Sequence, residues 1–499
     1  MQLPASVHNR LSYAGAAIAA LALSAMVFLF IVNTLVGRGE APYAGLIIFI
    51  LLPAVLLSGL LLIPLGMWRE HRHVRRTGHA SIPRFPVIDL NDARQRTAAV
   101  IFVLGSVFLL FLTVFGSFQA YEATESVAFC GSTCHTVMEP EKVAHQDSPH
   151  ARVRCVECHV GPGADWYVKS KLAGAHQLYA VLTDTYQRPI PVPVRDLRPA
   201  RDTCEHCHWQ EQHDTGLQLK RRVYFMPDED NTRWEVGLLS NVGAGTGAAT
   251  GIHWHLSGDH QLEYIATDPQ RQQIPWMRVT DRRTGKTTEY LSTDSPLTPA
   301  EVAAAEVRTM DCLDCHNRPS HHFRSPGFAL DRSLQAGAID AHLPMIKQTA
   351  TELLTAEYDS TPAALEAIAQ GLEGFYREQH PAVLGGQRAE LTNAVSAVQE
   401  IYRRNFFPAM KVRWDAYPDN SQHMTSPGCF RCHDGLHEND AGEALTASCT
   451  ACHVIATQGR PDALAHSTEP DGLAFEHPPA PDVGDSWEGM ACPDCHAEP

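Results

Sequence analysis

The chain has 499 residues, of which 44% are hydrophobic, and a formal net charge of −16 at pH 7. Phosphate groups repel a protein this acidic, so the charge excludes a nucleic-acid partner from the functions that we expect. The length leaves room for a membrane anchor and two or three compact units.

Three apolar segments in the first quarter of the chain are each long enough to cross a bilayer as a helix. They cover residues 11–36, 43–67 and 97–118. A cleaved signal peptide is the alternative for the first segment. Its apolar run is too long for the core of a signal peptide, and no clear cleavage site follows it. We therefore predict a membrane anchor of three transmembrane helices within residues 1–120.

Arginines are distributed unevenly between the two loops that join these segments. The first loop contains only Arg38, beside Glu40, whereas the second contains Arg69, Arg72, Arg75, Arg76, Arg84, Arg94 and Arg96. Loops rich in arginine stay in the cytoplasm. The N-terminus is then cytoplasmic, and the residues after 118 face the periplasm of a bacterial inner membrane. Cleavage of the first segment would leave this topology unchanged.

All fourteen cysteines of the chain belong to motifs in which a histidine directly follows the second cysteine. Six motifs read C-x-x-C-H, and the first in the chain has one more residue between its cysteines. The seven motifs are Cys130/Cys134/His135, Cys155/Cys158/His159, Cys204/Cys207/His208, Cys312/Cys315/His316, Cys429/Cys432/His433, Cys449/Cys452/His453 and Cys492/Cys495/His496.

This spacing is typical of covalent haem attachment. Two thiols about one helical turn apart match the vinyl groups of a haem, and the adjacent imidazole lies under the iron. Zinc is the alternative, but a zinc site does not require a histidine after every second cysteine. We predict seven covalent haem c groups, bound by the motif cysteines and ligated by the motif histidines. Haem attachment takes place on the outer side of the membrane, which agrees with the predicted topology.

Beyond the anchor, we expect a mostly irregular and helical haem domain with a small antiparallel β insertion. Residues 121–210 hold three motifs and a helical segment at 164–186. Residues 211–311 form the β-rich insertion, with strand-like runs at 220–225, 262–266 and 276–279. Residues 312–428 hold one motif and two helical patterns, at 361–378 and 388–404. Residues 429–499 hold three motifs in a loop-rich tail.

Histidines outside the motifs are numerous enough to give each iron a second axial ligand. Two strong axial ligands suit electron transfer, because they leave no open position for a substrate. The candidates that we favour are His150, His423, His437 and His477, and we also name His322 or its neighbour His321 as a candidate. For each of them the alternative is a surface or hydrogen-bonding role. For His213, His253, His255, His260 and His466 the sequence favours neither role.

The first haem has a different candidate ligand, Met138, which follows His135 by three residues. A methionine sulfur is a weaker ligand than an imidazole and raises the reduction potential. The alternative is that Met138 packs against the porphyrin or the bilayer surface. Whether His135 or Met138 ligates the first iron stays open.

The order of features from residue 118 to residue 208 resembles the NapC/NirT family of membrane-anchored quinol dehydrogenases. A membrane segment precedes the first motif, and Met138, Ser148-Pro-His150 and the second motif follow. The resemblance implies that Lys169 lines the first haem and a quinol pocket. The family has an acidic residue seven positions after this lysine, where the present chain has His176. We therefore expect Lys169 and His176 at the quinol site.

Family members usually have one membrane helix and four or five haems. Three membrane segments and seven motifs are more similar to the ImcH-like inner-membrane cytochromes of metal-reducing bacteria, and this resemblance covers most of the chain. It implies oxidation of menaquinol or ubiquinol and electron delivery to a periplasmic multihaem cytochrome in anaerobic or extracellular respiration. The chain would then be a quinol dehydrogenase.

Two other functions stay open at the level of sequence. A multihaem reductase of a nitrogen or sulfur oxyanion needs an iron with an open position, and all seven motifs end in histidine. The chain could also be the electron-conducting subunit of a larger respiratory complex, without a quinol site of its own. In that case Lys169 and Lys171 contact lipid phosphates or haem propionates.

Overall fold

A computed structural model describes most of the chain: residues 9–36, 52–78, 89–133, 135–161, 164–194, 198–208, 216–243, 251–478, 484, 486–487 and 490–496. The chain divides into two units, Met1–Thr133 and Cys134–Pro499. We describe each unit by itself.

The first unit contains three helices that are long and apolar enough to cross a membrane: α1 (Arg10–Val36), α2 (Leu52–Thr77) and α3 (Ala93–Thr124). The prediction of three such helices is confirmed. Helix α2 continues beyond the predicted end and carries four of the loop arginines on its last turns. The predicted start of this segment, residues 43–51, lies outside the described residues. Helix α3 extends the predicted segment at both ends.

Helices α1 and α2 approach each other closely through small residues. A Cβ atom added at Gly15 would lie 2.6 Å from the backbone oxygen of Gly59, so only glycine fits there. The Ser12 hydroxyl also donates to the Ile63 carbonyl at 3.0 Å. Small residues and hydroxyl groups are what holds helices together in a bilayer, where burial of apolar side chains provides no net gain.

A short helix, α4 (Val127–Ser132), follows α3 directly and contains Cys130, the first motif cysteine. The Ser126 side chain caps it by accepting a hydrogen bond from the Phe129 amide at 3.1 Å. Cys130 therefore lies on an ordered turn only six residues after the last residue of α3.

The second unit begins with a run of helices around the second and third motifs. These are α5 (His135–Gln146), α6 (Cys155–His159), α7 (Ala164–Leu182) and α8 (Ala200–Cys204). Helix α7 begins where the sequence predicts and ends four residues earlier than predicted, at Leu182. The proline-rich stretch after it continues without regular secondary structure as far as the described residues reach.

Two antiparallel sheets follow. The first has the strand order β1 (Leu217–Phe225), β2 (Arg233–Asn241), β8 (His453–Gly459), β9 (Ala465–His466). The second has the order β6 (Arg308–Thr309), β3 (His260–Ile265), β4 (Trp276–Asp281), β5 (Thr287–Ser292), β7 (His437–Glu438). Strands β7, β8 and β9 come from the tail. The predicted single small insertion is therefore wrong in extent, because the tail completes both sheets.

A helical bundle lies between the fourth and fifth motifs. Its helices are α11 (Pro326–Gln335), α12 (Ile346–Thr355), α13 (Thr361–Glu378), α14 (Pro381–Gly386) and α15 (Arg388–Asn405). Two of them match the helices predicted at 361–378 and 388–404 to within one residue. Ile368, Leu372 and Tyr376 recur every four residues along α13 and are fully buried in the bundle core.

A buried ion pair joins this bundle to the first sheet. Lys347 and Asp331 pair inside the core, and the Asp331 carboxylate also accepts a hydrogen bond from the Phe225 amide of β1 at 3.0 Å. The remaining helices of the unit are short: α9 (Pro299–Ala304), α10 (Cys312–Cys315) and α16 (Cys492–His496). The last two carry motif cysteines.

Candidate haem ligands and quinol site

Most of the described motif cysteines lie on single helical turns. In the third, fourth and fifth motifs the histidine amide donates to the carbonyl of the first cysteine, at 2.8 Å for His208 and His316 and 3.0 Å for His433. This hydrogen bond closes one turn and brings the two thiols to the same side of it. The geometry is the one that attachment to two vinyl groups requires.

The fourth motif shows how neighbouring residues fix such a turn. The Asp311 carboxylate caps α10 by accepting from the Leu313 amide at 2.8 Å, while Asp314 accepts from the Asp311 amide at 2.7 Å. Asp314 is itself buried, pairs with Arg271 at 3.1 Å and accepts a hydrogen bond from the Tyr264 hydroxyl. The orientation of Cys312 and Cys315 is therefore set by a satisfied polar cluster.

The seventh motif is surrounded by less of the chain than the fourth. Cys492 is half-buried at the start of α16, but Cys495 near its end is exposed. Cys158, Cys207, Cys429 and Cys449 are exposed as well, so exposure does not set the seventh motif apart from the others. Helix α16 is a single turn without a buried residue in the described structure. Haem attachment at Cys495 stays a prediction, based on its motif and on its proximity to Cys492.

Each of the last six motif histidines has the ring of a histidine from outside the motifs close to its own. The distances between ring centroids range from 5.8 to 6.4 Å. The pairs are His159–His321, His208–His150, His316–His253, His433–His255, His453–His423 and His496–His477.

This separation fits a metal ion between the two rings. A bond from a metal to an imidazole nitrogen is about 2 Å long, and two opposed ligands then have ring centroids about 6.3 Å apart. Both rings can turn about the axis through the metal, so the angle between their planes is free. The observed angles extend from 15° for His423–His453 to 89° for His255–His433.

The surroundings of one pair also fit a haem. A cleft at the fourth motif is lined by the apolar side chains of Ile252, Leu256 and Met310. Cys312, Cys315, His253, His255 and His316 line the same cleft. Thiols, two opposed imidazoles and apolar walls are what a covalently attached porphyrin requires. His423 and His453 give a second sign, since the Nδ1 atom of each is buried without a hydrogen bond in the described structure.

The structure places three of the predicted second ligands, His150, His423 and His477, opposite motif histidines. It places the other two elsewhere. His322 faces the Asp419 carboxylate at 3.3 Å, and its neighbour His321 is the residue opposite His159. Of the two neighbours that the sequence left open, the geometry favours His321.

His437 is not available to an iron, contrary to the sequence-based expectation. It is buried in β7, with Nδ1 2.8 Å from the Asp434 carboxylate and Nε2 2.7 Å from the Ile274 carbonyl. Both ring nitrogens are therefore engaged. The expectation was based on the spacing of four residues between His433 and His437. In the structure, His437 instead pairs with Ser292 in the second sheet.

His253 and His255 are ligand candidates that sequence reasoning did not single out. They lie on one short 3-10 helix, Ile252–Leu256, and face the histidines of two different motifs, His316 and His433. The available signal was the cluster of histidines itself. Nothing in the sequence pointed to His145. It is buried, and its ring centroid lies 6.4 Å from that of His321. Its Nε2 atom lies 2.9 Å from the Val153 carbonyl.

Consecutive motifs are neighbours in space from the second to the seventh. The thiols of Cys204 and Cys312 are close enough to interact, as are those of Cys429 and Cys452, which connects the third motif to the fourth and the fifth to the sixth. Three further pairs of thiols are close enough to interact electrostatically: Cys158 with Cys207, Cys315 with Cys429, and Cys449 with Cys492. The motifs form an unbroken series in chain order.

Comparison with known proteins now gives the family. The N-terminal region of the NapC/NirT cytochrome c family matches residues 92–226. The chain is also 42% identical over 496 residues to the cytochrome c-type protein ImcH of Geobacter sulfurreducens, which covers 98% of this chain and 95% of that protein. This chain belongs to the NapC/NirT cytochrome c family. No solved structure matches it.

Membership confirms the resemblance that the sequence motifs indicated. It establishes a membrane-anchored multihaem cytochrome with covalently bound haem c, which acts in respiratory electron transfer. The matched region begins just before α3 and ends one residue after β1. It therefore contains the first three motifs, Met138, Lys169 and His176.

The first motif and the expected quinol residues are described only in part. Cys134 and the side chain of His135 lie outside the described residues, and Met138 is half-buried on α5. Lys169 and His176 are both exposed on α7, and the Lys169 ammonium lies 4.4 Å from the centre of the Trp166 ring. Seven residues are two helical turns, so Lys169 and His176 share one face of α7.

One carboxylate stands in the immediate surroundings of a candidate ligand. Glu141 of α5 lies 2.9 Å from Nδ1 of His321 and 3.3 Å from the guanidinium of Arg318. Burial alone would raise the pKa of Glu141, but the hydrogen bond from His321 and the charge of Arg318 hold that pKa below its ordinary value. Glu141 is thus a half-buried, ionised group beside the second motif.

Proposed function

We propose that this protein oxidises membrane quinol, menaquinol or ubiquinol, and passes the electrons through seven covalently bound haems to a periplasmic multihaem cytochrome. The observation that carries the proposal is the series of motifs two to seven, each next to its successor in space and each with a paired histidine. The haems supply one-electron chemistry when bound. The motif cysteines hold them, and the paired histidines ligate their irons.

The six histidine pairs support electron transfer over catalysis at an iron. Two imidazoles on one iron leave no position for nitrite, hydroxylamine or a sulfur oxyanion. A reductase would need at least one motif histidine without an opposite ring. Among the last six motifs, each has one.

Electrons are proposed to arrive at the first motif. Cys130 follows the membrane helix α3 by six residues, which keeps the first haem close to the bilayer surface and to quinol dissolved in it. The motif lies in the region that matches the NapC/NirT family. We place this haem on the periplasmic side of the inner membrane, because the arginine-rich end of α2 precedes α3 and marks the cytoplasmic side.

Oxidation of a quinol releases two protons with its two electrons, so the site needs groups that accept protons. His176 stands where the family has a carboxylate, and an imidazole accepts a proton near neutral pH. Lys169 on the same face of α7 orients the quinol oxygen through its ammonium group. We propose these two residues as the quinol site.

The test is stopped-flow reduction of the purified protein by a menaquinol analogue. His176→Gln and Lys169→Ala should each slow haem reduction by quinol at least tenfold and leave reduction by dithionite unchanged. His342→Gln and Lys286→Ala, which change exposed residues far along the sequence, are the matched controls. Quinol rates equal to those of the controls would contradict the site. A wild-type protein that quinol does not reduce at all would instead favour an electron-conducting subunit.

A further inference from the structure

Glu141 is the feature that the proposed function leaves unused. It is half-buried on α5 and belongs to no motif. Its carboxylate lies 2.9 Å from Nδ1 of His321, the histidine opposite His159. Its backbone carbonyl lies 3.1 Å from the same nitrogen, so this Nδ1 carries the proton and donates it toward Glu141.

Four of the other candidate second ligands have a backbone carbonyl on Nδ1, and Nδ1 of the fifth, His423, is buried without a hydrogen bond in the described structure. His253 contacts the Val242 carbonyl at 2.5 Å, and His255 contacts the Ile252 carbonyl at 2.8 Å. His477 and His150 also meet backbone carbonyls, those of Pro478 and Pro319, at 2.8 and 3.3 Å. A carbonyl is a neutral acceptor, whereas the group beside His321 carries a full negative charge.

The carboxylate is held firmly in its position. Arg318 contacts both oxygens of Glu141 at 3.3 Å and donates from Nε to the His321 carbonyl at 2.7 Å. The Arg318 guanidinium also lies 4.1 Å from the centre of the Tyr417 ring, and its side chain is only 6% exposed. Arg318 therefore fixes Glu141 and His321 relative to each other within one cluster.

We propose that Glu141 is a positioning residue that lowers the reduction potential of the haem at the second motif. The Nδ1 hydrogen bond of His321 runs to the Glu141 carbonyl, and the carboxylate oxygen 2.9 Å from Nδ1 adds a negative charge that polarises the N–H bond, which makes Nε2 of His321 a stronger electron donor. A stronger axial donor and a nearby negative charge both stabilise the oxidised iron. A haem with a lower reduction potential gives up its electron more readily, so this haem passes electrons on to the haem of the third motif.

The proposal rests on the ligand assignment made in the proposed function, so the experiment tests the two separately. His321→Ala should convert one haem from six-coordinate low-spin to high-spin in the electron paramagnetic resonance spectrum. A spectrum unchanged by His321→Ala would overturn the ligand assignment, whatever Glu141 does.

Glu141 itself is tested by potentiometric titration of the full-length protein in detergent at one pH. In Glu141→Gln, one haem's share of the absorbance change should shift to higher potential, with the haem content and the low-spin signals retained. Glu378→Gln is the matched control: it removes the same charge from an exposed side chain of α13, in the bundle that contains no haem motif. This control should give the wild-type titration curve.

Glu141→Asp provides the second variant, because it keeps a charge in the cluster. Its shift should be smaller than that of Glu141→Gln. Three outcomes would overturn the proposal: a Glu141→Gln curve that coincides with that of Glu378→Gln, a high-spin haem in Glu141→Gln, or a shift in Glu141→Asp as large as in Glu141→Gln. The last two would mean that Glu141 acts through packing and not through its charge.

Discussion

In the helical bundle of residues 326–405, side chains such as Leu330, Ile368 and Leu372 are fully buried against one another. In the tail after residue 428, the buried hydrophobic residues of the described part are only Cys432 and Ile455. The bundle contains no haem motif, and the tail contains three within 68 residues. The bundle thus builds its core from its own side chains, whereas we expect the tail to rely on attached porphyrins for apolar contacts.

The strongest way to break this comparison is to withhold haem. When the chain is produced without haem attachment, the bundle should stay folded and the tail should lose its structure. Limited proteolysis with mass spectrometry should then show cleavage within the tail at least about tenfold faster than in the holoprotein. A loss of about 1.4 kcal/mol of local stability gives this factor. Equal protection of tail and bundle would contradict the account.

A substitution in the bundle core makes the opposite test. Leu372→Ala removes a fully buried side chain from α13 and should lower the free energy of unfolding of the bundle by about 2–5 kcal/mol. Because the bundle holds no motif, the haem content should not change. Thermal unfolding followed by circular dichroism measures the first effect and a pyridine haemochrome assay the second. Glu378→Ala, at an exposed position of the same helix, is the control.

The histidines of the 3-10 helix Ile252–Leu256 allow the proposed haem ligands to be tested one at a time. His253→Ala and His255→Ala should each convert one haem to high-spin, and the double variant should convert two, since the rings face different motifs. His260→Ala should convert none, because the His260 ring lies 4.3 Å from the Trp254 ring and faces no motif histidine among the described ring contacts. Electron paramagnetic resonance counts the high-spin sites. A double variant with one high-spin haem would show that the two histidines serve the same iron.

The smallest expected effect concerns His437, the buried histidine that belongs to the sheet. His437→Ala removes hydrogen bonds to Asp434 and Ile274 and should cost about 1–3 kcal/mol of stability. The low-spin spectrum should stay as in wild type. His477→Ala, at the ring opposite His496, should give the reverse result, with little loss of stability and one altered haem. A change in the low-spin spectrum of His437→Ala would show that His437 is a haem ligand.

These tests concern features that differ in how far the sequence predicts them. The motifs are local, so Cys312, Cys315 and His316 are recognisable without a structure. Helix α13 is equally local, because its apolar residues repeat at helical spacing. The three membrane helices follow from length and hydropathy alone. Each of these predictions depends only on residues that lie within a single motif or helix.

Pairings between distant segments were not predictable in this way. His253 faces His316 across 63 residues, and His150 faces His208 across 58. Strand β8 joins β2 with His453 opposite Ser240, although the tail around it reads as a loop. His321 and His322 are adjacent in sequence, and only the position of Glu141 and His159 distinguishes them. Local patterns indicate which residue types are present and not which of them meet.

The central claim is that quinol electrons pass through a series of haems whose irons carry two histidines each. Stopped-flow spectroscopy of the purified protein with a menaquinol analogue, combined with electron paramagnetic resonance, tests it most directly. The account predicts seven haems per chain, reduction of all of them by quinol, and low-spin signals for the last six. A high-spin haem among those six, or a protein that dithionite reduces and quinol does not, would contradict it.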